Sequence, residues 1–240
     1  MKKIIIGILG GMSAQSTAKA YLEMNSLIPQ YCWPNGYFPE ILIYSVDFGV
    51  IERFQEYGEW GKAEDYLASA VNGYLSKADF IVMCTNTMHK ILPGLEAKTG
   101  KEFVSIVEAT AERARDANYQ KVLILGTRFV MEEDFYKSGF EALGIEAVAP
   151  NLPQDQAYIN ETIFKRLVNG EFLEEDQEKF WDIIRWNHEE QGIEAAVMAC
   201  TEIPLLMASL ATFVPLLDTM AIQVEAAVKK ALAKAWASTK

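Results

Sequence analysis

Short, almost wholly apolar runs recur along the chain, separated by longer stretches of mixed polarity. Residues 4–9, 41–46, 80–83, 103–107, 122–125, 145–149, 195–198 and 214–217 read as strands, rich in Ile, Val, Leu and Phe. Helical periodicity fills the gaps between them, most plainly over 59–76 and 177–191. Strands that are apolar at nearly every position are buried on both faces. That is the signature of parallel sheets covered by helices, so the pattern predicts an α/β fold.

The second half of the pattern echoes the first. Ile8-Leu9-Gly10 matches Ile124-Leu125-Gly126, an offset of 126 − 10 = 116, and Val82-Met83 matches Val197-Met198, an offset of 198 − 83 = 115. Residues 103–108 resemble 213–218, an offset of 213 − 103 = 110. Three matches in one order at similar spacing predict two pseudo-symmetric Rossmann-like lobes with parallel sheets. Residues 1–110 plus 213–240 are expected to form the N-terminal lobe and 111–212 the C-terminal lobe. Ligands in open α/β sheets bind beyond the carboxyl ends of strands, so the active site is expected in the cleft between the lobes.

Composition narrows the function. The 240 residues include 33 acidic and 22 basic side chains, a formal charge of -11, which argues against nucleic acid or an anionic membrane as partner. No apolar run reaches the length needed to span a bilayer. The start, MKKIIIGILGGMSA, imitates a signal peptide, but its apolar run is short and two glycines interrupt the residues after it, so a buried first strand accounts for it better. Three cysteines without a CxxC pair fit a reducing compartment, and the expected location is cytoplasmic. Two histidines and scattered cysteines lack metal-ligand spacing, and Gly7-Ile8-Leu9-Gly10-Gly11 is not a dinucleotide fingerprint, so neither metal nor nicotinamide cofactor is expected.

Candidate chemistry sits where the third strand of each half ends. Aligning Val82-Met83-Cys84-Thr85-Asn86-Thr87 with Val197-Met198-Ala199-Cys200-Thr201-Glu202 sets Thr85 opposite Cys200. Successive strand residues face opposite ways, so Cys84 and Thr85 cannot share a cleft, and Cys84 is read as structural. Both segments run from strand into helix, leaving backbone N–H groups and a positive helix end at the tip. Such tips hold carboxylates without a basic side chain, and a pair of them suits a substrate with two carboxylates.

ILGGMS near the start, SVDF at Ser45 to Phe48, CTNTMHK at Cys84 to Lys90, LGTR at Leu125 to Arg128 and ACTEIPLL at Ala199 to Leu206 are similar, in the same order, to the aspartate/glutamate racemase family. The resemblance implies two α/β lobes, a homodimer, and racemisation without pyridoxal phosphate by two bases on opposite faces of the α-carbon. In most of the family the first base is a cysteine directly before Asn-Thr. Thr85 holds that place here, so the chain resembles the subgroup with a Thr/Cys pair. Cys200 then takes the α-proton of L-aspartate or L-glutamate, and Thr85, a weak base, serves the other face, biasing turnover toward the L enantiomer.

The same resemblance assigns Met12, Gln55, Asn86, Thr87, Thr201 and Glu202 to substrate binding. Met12 offers backbone beside Gly10 and Gly11, Gln55 meets the distal carboxylate with Arg53 nearby, and Glu202 meets the ammonium. A lysine some relatives supply near 164–170 is replaced by Val168. Other side chains take plainer readings. Cys32, in the Tyr31-Cys32-Trp33-Pro34 loop, is incidental, His89 a helix-face residue that can also touch the site, and His188 solvated. The acid-rich 171–178 stretch is an exposed helix start, and Phe180, Trp181 and Trp186 are core or interface. Two alternatives stay open. One is a related cysteine enzyme such as a hydantoin racemase, arylmalonate decarboxylase or maleate isomerase; the other is a non-catalytic dicarboxylate-binding protein.

Overall fold

Every apolar run read as a strand overlaps one in the computed structural model, which describes residues 3–32, 38–208 and 213–237. The side chain of Cys32, together with Trp33 and Pro34, lies outside the described residues. In chain order come β1 (Ile5–Gly10), α1 (Ala14–Cys32), β2 (Glu40–Ser45), α2 (Phe48–Glu56), α3 (Trp60–Tyr74), β3 (Phe80–Met83), α4 (Leu92–Thr99), β4 (Phe103–Val104) and α5 (Ile106–Asp116). Then come β5 (Lys121–Gly126), α6 (Arg128–Glu132), α7 (Asp134–Glu141), β6 (Glu146–Val148), α8 (Pro153–Lys165), α9 (Glu174–Gln191), β7 (Ala195–Ala199), α10 (Ile203–Met207), β8 (Leu216–Asp218) and α11 (Thr219–Ala237). Short 3-10 turns occupy Thr87–Ile91 and Leu167–Asn169.

Two four-stranded parallel sheets result, ordered β2-β1-β3-β4 and β6-β5-β7-β8. The orders are the same once the second is renumbered. Register agrees too, since Leu9 sits across from Met83 in the first sheet and Leu125 across from Met198 in the second. The third sequence match shifts, however. Ile81 faces Phe103 and Ala196 faces Leu216, so Phe103 corresponds to Leu216, an offset of 216 − 103 = 113, and not to Phe213. The fourth strand of the first sheet is also shorter than expected, because Ile106 and Val107 already belong to α5.

By compactness, one unit comprises Met1–Ile106 with Gln223–Lys240, and the other Val107–Ile222. The return expected at residue 213 therefore falls later, because β8 pairs with β7 and stays with the second sheet. Each unit has its own apolar core. In the first, Leu9, Ile81 and Met83 pack with Leu67, Val71 and Leu95 of the covering helices; in the second, Leu123, Leu125 and Met198 pack with Ile159, Phe180 and Ile184. Each such side chain removed from water contributes about 1.5–3 kcal/mol, and this burial holds the strand tips in place.

The acid-rich stretch is not wholly solvated. Asp176 is fully buried, accepting from Tyr158 Oη at 2.6 Å and Arg166 Nη2 at 2.5 Å.

Candidate active site

In each sheet the order reverses direction once. From β1 the chain moves outward to β2 and then crosses to β3 and β4; from β5 it moves to β6 and then to β7 and β8. A crevice opens at such a switch point, beyond the carboxyl ends of the two central strands. The residues met there are 10–12 and 84–86 in the first unit, and 127–128 and 200–202 in the second.

The turn after β1 is built for close approach. Gly11 has φ +89, and a Cβ there would lie 2.4 Å from the backbone of Val46. Its N–H donates to Thr17 Oγ1 at 2.9 Å, and that hydroxyl donates to the Ser13 carbonyl at 2.8 Å. The Met12 side chain packs into the first core, so backbone is what this residue can offer a ligand.

After β3, Cys84 continues the ladder, its N–H pointing to the Leu9 carbonyl at 3.4 Å. It is 2 % exposed, and burial pushes its thiol up to about 12. Thr85 is only half-buried, while Asn86 and Thr87 are buried. His89 lies in the 3-10 turn, on its inward face. It is buried, with Nδ1 2.7 Å from the Thr85 carbonyl, while the Ile106 N–H donates to Nε2 at 3.0 Å. Since Nε2 accepts, Nδ1 carries the proton and donates to Thr85. Burial, opposed by that bond, lowers the imidazole to about 4, so the ring is neutral near pH 7.

Gln55 Nε2 donates to Met88 Sδ at 3.0 Å, which holds the amide against the turn just after Thr85. Arg53 is exposed and its Nε reaches back to the Gly49 carbonyl at 3.3 Å. Asp47 caps α2, accepting from the Gly49 N–H at 2.9 Å.

After β7 the arrangement is charged. Cys200, 9 % exposed, donates from Sγ to Glu202 Oε2 at 3.2 Å, and Thr201 Oγ1 donates to the same oxygen at 2.8 Å. Glu202 is 5 % exposed, and its Oε1 is buried without a hydrogen-bond partner among the described residues. Burial, and after it the Glu202 carboxylate, push the Cys200 thiol well above the usual range; N–H groups of Glu202 and Ile203 pull the other way. The positive helix end expected at this tip therefore does not lower the thiol. The next helix, α10, is five residues long, and β3 leads into a 3-10 turn, so neither tip carries the dipole of a long helix.

Sequence reasoning passed over Arg128. It comes after β5, the neighbour of β7, with Gly126 in register with Ala199, which sets Arg128 and Cys200 at the same end of one sheet. Its exposed side chain lines a cavity of about 250 Å³ with Gln156, Asn160, Glu132 and Glu161. Its own N–H donates to Asn160 Oδ1 at 2.9 Å. An arginine just past a strand end was the available signal. Val168 packs against the second core, so no cation stands at that position. His188 is exposed, as a solvated residue is. Among the described residues, no three or more His, Cys, Asp or Glu side chains gather as a metal site.

A family model described as Asp/Glu/Hydantoin racemase matches residues 9–227. The structure of a candidate Asp/Glu racemase from Yersinia pestis is 35% identical, with 95% of this chain and 99% of that chain covered and a TM-score of 0.85. An aspartate racemase homologue from Pyrococcus horikoshii is 30% identical over 97% of this chain and 100% of its own, with a TM-score of 0.79. A glutamate racemase from Francisella tularensis, solved with D-glutamate, shares the fold at 14% identity, covering 97% of this chain and 82% of its own, with a TM-score of 0.68.

Proposed function

The chain belongs to the Asp/Glu/Hydantoin racemase family, and on that premise we propose that it racemises aspartate or glutamate without pyridoxal phosphate, with Cys200 and Thr85 as the two bases. The observation that carries this reading is the Cys200–Glu202 pair: a thiol at the end of a central strand, bonded to a buried carboxylate with one oxygen unused. That oxygen suits an α-ammonium, and the backbone N–H groups of Glu202 and Ile203 favour a thiolate at Cys200.

In the reaction, the Cys200 thiolate takes the α-proton of the L enantiomer, and the electron pair stays on carbon. Thr85 Oγ gives its proton to the opposite face, and both bases regain their resting state through solvent. Met12 backbone, Asn86, Thr87 and Thr201 bind the substrate, while Gln55 meets its distal carboxylate. Arg128 is a second candidate for that carboxylate: an Arg128→Ala variant should raise KM about tenfold, the worth of one charged hydrogen bond, with kcat nearly unchanged. An unchanged KM removes Arg128 from the site. The protein is expected to act as a cytoplasmic homodimer.

Because enantiomers have equal free energy, kcat/KM for net inversion must be the same in both directions. The bias expected from a weak threonine base therefore belongs to exchange without inversion: L-aspartate should lose its α-proton to solvent faster than D-aspartate does. An enantiomer-resolved assay of both acids, with no added cofactor, tests the reading. Interconversion of either pair supports it; conversion of a hydantoin, a malonate or maleate instead, or binding without turnover, overturns it.

A further inference from the structure

We propose that Glu202 keeps Cys200 in its thiol form while the site is empty, and that the substrate's ammonium, seated on the unpaired Oε1, arms the sulfur. The proposal deepens the racemase reading and rests on it. Its basis is the unequal use of the two carboxylate oxygens. Oε2 accepts both the Cys200 thiol at 3.2 Å and the Thr201 hydroxyl at 2.8 Å, whereas Oε1 is buried and has no partner among the described residues. A carboxylate oxygen taken from water and left unmatched is costly, and a cation is the group that best satisfies it.

Burial favours the thiol first, and the same carboxylate adds to it in two ways. It accepts the S–H bond, which favours the thiol, and its negative charge beside the sulfur opposes a thiolate. Charged groups on the neighbouring strand tips are Arg128 after β5 and Asp218 at the end of β8, whose Oδ1 accepts the Met220 and Ala221 N–H groups. Glu202 is the charge bonded to the sulfur itself. An ammonium on Oε1 cancels its charge, which leaves the pull of the Glu202 and Ile203 N–H groups toward the thiolate less opposed. The S–H bond then breaks, the electron pair stays on sulfur, and one proton per site leaves to water. The empty enzyme thereby keeps its reactive sulfur in the form that resists alkylation and oxidation. Dicarboxylates without an amino group do not arm it.

The test uses the wild-type protein with α-methylaspartate, which carries the ammonium and both carboxylates but no α-proton, against succinate, which lacks the ammonium. At pH 8.5 in weak buffer with an indicator dye, α-methylaspartate should release up to one proton per site, with matching thiolate absorbance near 240 nm, and succinate none. Equal release by both ligands, or by neither, overturns the proposal. A second arm needs no ligand. Iodoacetamide alkylation of Cys200, read by mass spectrometry at its peptide, should run at least tenfold faster in Glu202→Gln than in wild type. An equal or slower rate overturns the proposal. If the wild type racemises yet its thiol fails both arms, the gating idea alone is wrong. If it racemises nothing, the racemase reading has failed first.

Discussion

The strand tips after Met83 and Met198 occupy equivalent places in two sheets of the same order, yet they are held in opposite ways. The first is neutral and closed by hydrogen bonds: a buried, uncharged His89 ties the Thr85 carbonyl to the start of α5. The second is charged and open-ended: a thiol and a hydroxyl converge on one oxygen of Glu202 and leave the other unmatched. Two sheets of one order thus hold equivalent strand tips in different chemistry. Under the proposed mechanism, Thr85 is the weak base and Cys200 the strong base that waits to be armed.

Breaking the second tip should have the largest effect. Cys200→Ala should slow loss of the α-proton from L-aspartate by about 10²–10⁴-fold, the usual worth of a positioned general base. A variant that exchanges at the wild-type rate ends the assignment.

The first tip is tested next through acid stability. His89 has its pKa lowered from 6.5 to about 4, so the unfolded chain binds that proton more readily than the folded one. Stability should therefore fall as pH drops through 6.5 towards 4, by roughly 3 kcal/mol from this residue, and level off below. Denaturant midpoints across that window check it, and His89→Gln, which cannot take up the proton, should flatten the fall.

Making the two tips alike sharpens the comparison further. Thr85→Cys should raise α-proton exchange from D-aspartate, and net inversion with it, by about tenfold or more, since a thiolate is a far better base than an alcohol. No rise in either rate removes Thr85 from the mechanism. The neighbouring thiol should matter least. Cys84→Ala, buried in the strand ladder, should change exchange rates by less than about threefold and cost about 1 kcal/mol of stability, read from a denaturant melt. A large loss of exchange would return the role to Cys84.

The strands were legible because residues buried on both faces of a parallel sheet must be apolar at nearly every position. Where similar letters served different ends, the pattern misled: Phe103 and Phe213 look equivalent, but register places Phe103 with Leu216. Ile106 and Val107 are apolar because α5 buries them, which spelling alone cannot tell from a strand. The side chains at the tips could be named from the repeat and the motifs, but their electrostatics could not. His89 reads its partners through backbone atoms 4 and 17 residues away, which leave no trace in side-chain identity. Glu202 lies close to Cys200 in sequence, yet only the geometry shows that it raises the thiol and does not free it. Asp176 is hidden the same way, an acid in an acidic run whose burial depends on Arg166 and Tyr158.

The asymmetry of the two tips is read most directly by following the α-proton of pure L-aspartate and pure D-aspartate into D₂O by NMR, each at early times with wild-type protein. Exchange from the L enantiomer should outrun that from the D enantiomer, with retained configuration in most of the exchanged L molecules. Equal initial rates, or a faster D enantiomer, would contradict the account.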